Sequence, residues 1–142
     1  MMLGLDYGTV RVGVAVGDPS VGMAFARSVL AAEPFTTLCA MLASLVRDED
    51  ASAIIIGLPL RADGSEGDAA IAVRAWGERI GAAVGVPVYY VDEGLTSDAV
   101  RTRRRVHGRA QTPRSGGTAL DAEAAAMILQ QYFDERAKVA QP

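Results

Sequence analysis

Leu3-Gly4-Leu5-Asp6-Tyr7-Gly8-Thr9-Val10-Arg11-Val12-Gly13-Val14-Ala15-Val16 reads as two strands joined by a tight turn, with one acid inside the first strand. Leu3, Leu5 and Tyr7 alternate onto one face, and Gly4, Asp6 and Gly8 onto the other. On the second strand Val12, Val14 and Val16 mark the apolar face, opposite Gly13 and Ala15. Gly8 frees the turn, while Gly4 and Gly13 let other backbone or a ligand come close. A carboxylate on so apolar a strand is costly unless a cation, a partner or water meets it. Asp6 either ends the strand by accepting hydrogen bonds from the turn amides, or is presented at the sheet as a metal ligand.

Outward from this hairpin, Asp18-Pro19-Ser20 makes a turn and Val21 to Leu30 reads as a third strand, closing an antiparallel meander. Glu33-Pro34 breaks it. From Thr36 to Asp50, Leu38, Met41, Leu42, Leu45 and Val46 recur at helical spacing. Ala53-Ile54-Ile55-Ile56-Gly57 is a continuous apolar run, the mark of a strand covered on both faces. Leu58 to Asp68 reads as a loop, and Ala69 to Val84 as a second helix with Val73, Trp76, Ile80 and Val84 along its stripe. That stripe assigns Trp76 to core packing rather than to base stacking. Gly85 and Pro87 stop the helix. Val86 to Val91 is another buried strand that delivers Asp92-Glu93 at its end. Thr96 or Ser97 caps a further helix running into an arginine cluster, and after a Gly/Pro/Ser loop Thr118 to about Ala137 forms the last helix. The order predicts an α/β domain with a five-stranded mixed sheet: an antiparallel meander on one side, parallel strands on the other, helices on both faces.

At 142 residues the chain is expected to form one domain, residues 1–142, with a full hydrophobic core. Half the residues are hydrophobic and 22% charged, as in ordinary soluble proteins, and no apolar run is long enough to span a membrane. The start carries no basic region before its apolar residues, so no secretory signal is expected. The single cysteine, Cys39, excludes an internal disulfide; it fits a reducing compartment and is expected to fill core space. A cytoplasmic location follows as the expectation. The net charge of −3 hides an uneven distribution, because residues 101–114 hold Arg101, Arg103, Arg104, Arg105, Arg109 and Arg114 and no acid. Taking that +6 away leaves −9 on the remainder, so the overall acidity does not argue against a polyanionic partner.

The last helix brings in a second acid. At about 100° per residue Asp121 lines up with Ala125, Ile128 and Tyr132 on the apolar face, while Glu123 falls on the opposite side. Thr118-Ala119-Leu120-Asp121 also fits a capping box, which accounts for an acid in a first turn but not for one that faces the protein. Glu93 and Asp92 sit where a parallel strand ends, the usual place for ligands in open α/β sheets. Adjacent residues point to opposite faces, so one of the two is expected at the site. Carboxylates brought together repel unless protonated or bridged by cations. Oxygen-only donors suit Mg²⁺ or Mn²⁺, and no His/Cys cluster points to zinc. Two such ions roughly 3.5–4 Å apart are the apparatus of in-line displacement at phosphorus. Whether the acids converge is left open by spacing alone.

Leu3 to Thr9, Arg11 to Val16, Ile56-Gly57-Leu58-Pro59-Leu60, Asp92-Glu93-Gly94-Leu95-Thr96-Ser97 and Asp121 to Ala125 together resemble the YqgF/RuvX family, over nearly the full length and in order. The resemblance implies a ribonuclease-H-like fold, similar to the RuvC resolvases. It implies metal-coordinating carboxylates at Asp6, Glu93 and Asp121, and a nuclease role in maturing the 5′ end of pre-16S rRNA or in resolving Holliday junctions. One departure stands out: the family usually has Asp-Glu-Arg before Leu-Thr, and here Gly94 replaces the arginine. That removes a partner for phosphate or carboxylate beside Glu93.

The arginine stretch between Glu93 and Asp121 is either a solvated helix end or a nucleic-acid contact. Six arginines without an acid repel one another, and guanidinium forks suit phosphate oxygens, which favours nucleic acid. Aromatics are scarce there, so recognition of shape and backbone is expected rather than stacking. The leading expectation is a Mg²⁺/Mn²⁺-dependent endonuclease, with precursor 16S rRNA as substrate ahead of branched DNA and with a homodimer if it acts as a resolvase. A sugar kinase or ATPase of the actin-like group would share the look of Asp6-Tyr7-Gly8-Thr9 but needs a second phosphate loop and a larger chain. A non-catalytic RNA- or ribosome-binding module is the third reading.

Overall fold

The computed structural model describes residues 1–93 and 113–140. Five strands, β1 (Met2–Asp6), β2 (Arg11–Asp18), β3 (Met23–Ala31), β4 (Ala53–Leu58) and β5 (Val88–Asp92), form one sheet in the order β3-β2-β1-β4-β5. β1, β2 and β3 pair antiparallel as the expected meander, and β4 and β5 extend the sheet parallel to β1. Three described helices complete the fold: α1 (Phe35–Asp48), α2 (Asp68–Val84) and α3 (Pro113–Ala140). The helix expected after Thr96 or Ser97 lies outside the described residues, as do Arg101, Arg103, Arg104, Arg105 and Arg109.

The period-two alternation of β1, β2 and β4 sorts their side chains onto two cores. Leu3, Leu5, Val12, Val14, Ile54 and Ile56 pack with Leu38 and Leu42 of α1 and with Val73, Trp76 and Ile80 of α2. Ala15, Ile55 and Val91 face the other way and meet Ala125, Ile128, Leu129 and Phe133 of α3. The Ile54-Ile55-Ile56 run therefore serves both faces, as its unbroken apolarity predicted. α2 ends as its glycine implied: Gly85 adopts a left-handed conformation (φ 84°) and its amide donates to the Gly81 carbonyl. Cys39 packs against the α1/α2 core, and burial pushes its thiol above the ordinary value, so it is a filler of low reactivity.

α3 departs from the sequence reading at its start. It begins at Pro113 rather than Thr118, so the Pro/Gly/Ser run expected as a loop is helical and Asp121 lies two turns inside. Thr118-Ala119-Leu120-Asp121 is thus no capping box. Proline needs no amide partner in a first turn, so Pro113 can open the helix, and Gly116 and Gly117 only weaken it. α3 crosses all five strands. Its position is pinned near both sheet edges: Gln130 accepts from the Ala24 amide (3.0 Å) and donates to the Gly22 carbonyl (2.8 Å), and Gln131 donates to the Asp92 carbonyl (2.8 Å). No helix among the described residues is long and apolar enough to cross a membrane.

Candidate active site

The face of the sheet under α3 is cut back to glycine where the acids are expected. Asp6 ends β1 and pairs in register with Gly13 of β2. A side chain at Gly13 would run into the Asp121 backbone, so the loss of one Cβ lets the Asp121 turn of α3 settle against β2 beside Asp6. On the other flank, Leu5 pairs with Ile56, which makes Gly57 the next residue of β4 alongside Asp6. A Cβ at Gly57 would lie 2.6 Å from the Glu93 carboxylate oxygen Oε1 and 2.6 Å from Ile128 Cδ1. Glu93 therefore lays its carboxylate over β4, on the α3 face, in the space a side chain at Gly57 would fill. Its amide donates to the Leu58 carbonyl (3.0 Å), which fixes the backbone just past the end of β5.

Asp6, Glu93 and Asp121 thus come from a strand end, a strand exit and a helix, and occupy one region of one sheet face. Asp92 is exposed and only its carbonyl engages α3, so Glu93 is the member of the pair on this face. Asp121 lies above the sheet in line with buried Ala125 and Ile128, as the helical spacing predicted. Arg114 falls within α3, and the other five arginines lie outside the described residues, as does Gly94.

One residue that the sequence reading did not single out belongs here. Arg11, at the start of β2, places its Nε 2.9 Å from Asp121 Oδ2; the Asp121 side chain is 19% exposed and that of Arg11 48%. A cation thus already stands at one of the three carboxylates. The donor chemistry fits an oxygen-preferring divalent ion. Among the described residues, however, no three Asp, Glu, His or Cys side chains are grouped closely enough to hold one as they stand. Asp121 is engaged by Arg11 through Oδ2, and an ion shared with Asp6 and Glu93 would have to draw the three carboxylates closer.

A mixed five-stranded sheet with its parallel strands beside the meander, and acids gathered under the final helix, is the arrangement of the ribonuclease-H-like nucleases. The RuvC of T. thermophilus in complex with a Holliday junction substrate has the same fold, with a TM-score of 0.59 at 19% identity over 99% of this chain and 98% of that one. The sequence model of the family described as "RuvX: Holliday junction resolvase" matches residues 1–135, and the chain belongs to that family. A protein of Anaeromyxobacter dehalogenans named "Putative pre-16S rRNA nuclease" is 39% identical over 95% of this chain and 97% of its own length. One of the same name from Thermosynechococcus vestitus is 36% identical over 98% of this chain and 91% of its own.

Proposed function

We propose that this chain is a divalent-metal-dependent endonuclease that trims precursor 16S rRNA at its 5′ end, in the cytoplasm, as a step of ribosome biogenesis. The observation that carries the reading is the placement of Asp6, Glu93 and Asp121 on one face, around backbone stripped to Gly13 and Gly57. The names of the relatives supply the substrate class. Asp6, Glu93 and Asp121 would hold Mg²⁺ or Mn²⁺, in a pair if the site is complete. When bound, such ions lower the pKa of a water and neutralise charge on the leaving oxygen. The chain's own contribution is placement. Gly57 lets Glu93 lie flat on β4, α3 carries Asp121 to the sheet, and Arg11, paired with Asp121, would be placed to meet a phosphate oxygen. Arg101, Arg103, Arg104, Arg105, Arg109 and Arg114 would steer the strand toward the acids.

Resolution of four-way DNA junctions is the second reading, favoured by the family description and by the junction-bound structural neighbour. It would call for a two-fold dimer to make paired cuts. Against it, the only dense run of basic charge without acids is the one stretch 101–114, whereas a resolvase grips two duplex arms per subunit. A precursor-rRNA 5′ fragment and a four-way junction assayed in parallel with Mn²⁺, with Asp6→Asn as blank, should show cleavage of the RNA. Symmetric nicks in the junction with intact RNA would overturn the proposal in favour of the resolvase.

A further inference from the structure

On the sheet face away from α3, past the end of β1, a cavity of about 300 Å³ opens on the opposite side of the strand end from Asp6, Glu93 and Asp121. Its inner wall is aromatic: Tyr7 and Trp76 stand 4.8 Å apart at a tilt of 60°, and Phe35 at the start of α1 lies alongside. Its rim is polar and exposed, made by Thr9, Glu33 and Arg79. The Arg79 guanidinium rests over the Phe35 ring, 4.0 Å from its centroid, so it is held flat rather than extended into solvent.

An apolar floor with a few polar groups on the rim is the ordinary build of a small-molecule site, and the volume is at the lower end of that range. The chemistry narrows the occupant. A phosphate would meet the Glu33 carboxylate as well as Arg79, which disfavours an anion. A single carboxylate is a poor cation site. A planar ring system with polar edges suits both parts: it packs against the portion of the aromatic wall that Arg79 and the core leave open, and its donors and acceptors meet Glu33, Thr9 and Arg79. The position supplies the rest. Tyr7 directly follows Asp6, one Cα step of about 3.8 Å, and the two side chains leave β1 on opposite faces. A strand with a phosphodiester at Asp6 would have to turn around the end of β1 to reach the mouth of this cavity.

We propose that the cavity takes one unpaired nucleobase of the substrate strand, next to the phosphodiester held at the acids. The base anchors the strand across the end of β1, so cleavage requires an unstacked nucleotide at that position. This rests on the nuclease reading for the location of the phosphodiester, while the pocket itself can be tested apart from cleavage.

Trp76 is the chain's only tryptophan and lies in the cavity wall, so its fluorescence reports on the site. The full chain carrying Asp6→Asn is titrated with a short single-stranded oligoribonucleotide from the precursor-rRNA 5′ region, then with versions carrying one abasic residue moved along the strand. The intact strand should quench Trp76 saturably. One abasic position alone should abolish the quench and weaken affinity between roughly 5- and 150-fold, the range expected for removing one base stack. Arg79→Gln, on the exposed rim, should cost several-fold in affinity for the intact strand and nothing for the strand abasic at that position. Absent quenching, or quenching that survives every abasic position, overturns the proposal. Cleavage by the unsubstituted chain with a flat abasic scan would discard the pocket and keep the nuclease. The abasic signature without cleavage of any RNA would do the reverse.

Discussion

Arg11 and Asp121 are 110 residues apart in sequence and 2.9 Å apart in the fold. A half-exposed ion pair of this kind contributes about 0–1 kcal/mol to stability, too little to explain itself by folding alone. Its consequence lies in competition, because a guanidinium and a divalent ion would both draw on the Asp121 carboxylate. Arg11→Gln should therefore tighten Mn²⁺ binding measured by calorimetry, with little change in melting temperature, whereas Asp121→Asn should weaken it and abolish cleavage with the fold intact. Weaker Mn²⁺ binding by Arg11→Gln would mean that the arginine holds Asp121 in its ligating position instead. At this scale the sequence disclosed the acids through their odd settings: Asp6 inside an apolar strand, Asp121 on an apolar helix face. It hid Arg11, since nothing local ties a residue at a strand start to a helix so far along the chain.

Among the elements, α3 was the hardest to delimit and matters most to the site. Its apolar stripe was legible from Ala125, Ile128 and Tyr132, but its beginning was not, because proline and glycine signal a turn more often than a first helical turn. Tertiary contacts hold its later turns: glutamines clasp it near both sheet edges and its small residues sit close on the strands. That closeness makes Gly13 the sharpest test of how α3 seats Asp121. Gly13→Ala would push its new methyl into the Asp121 backbone and should destabilise the chain by about 1–3 kcal/mol in urea unfolding, with loss of cleavage. Wild-type stability and activity in that variant would show that the helix turn has room to move and that its seat on β2 does not set the site. The strands, by contrast, were readable almost residue by residue, since alternation on β1 and β2 and the isoleucine run of β4 sort their apolar side chains onto the two cores.

The molecule as a whole carries its acid excess outside residues 101–114 and its densest positive charge within them. If that stretch binds phosphate, replacing Arg103, Arg104 and Arg105 by glutamine should weaken binding to all nucleic acids alike. The slope of log affinity against log salt should fall by roughly 0.7–0.9 for each phosphate no longer neutralised. An unchanged slope would assign the stretch to solvated surface. Fold class and family were open to reading from sequence at this scale because they depend on the order of patterned segments. The aromatic cavity at the end of β1 was not, because Tyr7, Phe35 and Trp76 come from three segments whose meeting only the folded sheet creates.

The crossing of all five strands by α3 has one more consequence, which concerns heat. Asp6, Glu93 and Asp121 sit together only while that helix stays down. Lifting it would also bare Ala15, Ile55 and Val91 and break the clasps at Gly22, Ala24 and Asp92. Lifting α3 along its length would therefore dismantle the site and uncover this face of the sheet together. Thermal inactivation should therefore track the loss of α3 packing, the midpoint of activity loss coinciding with the unfolding midpoint read by circular dichroism.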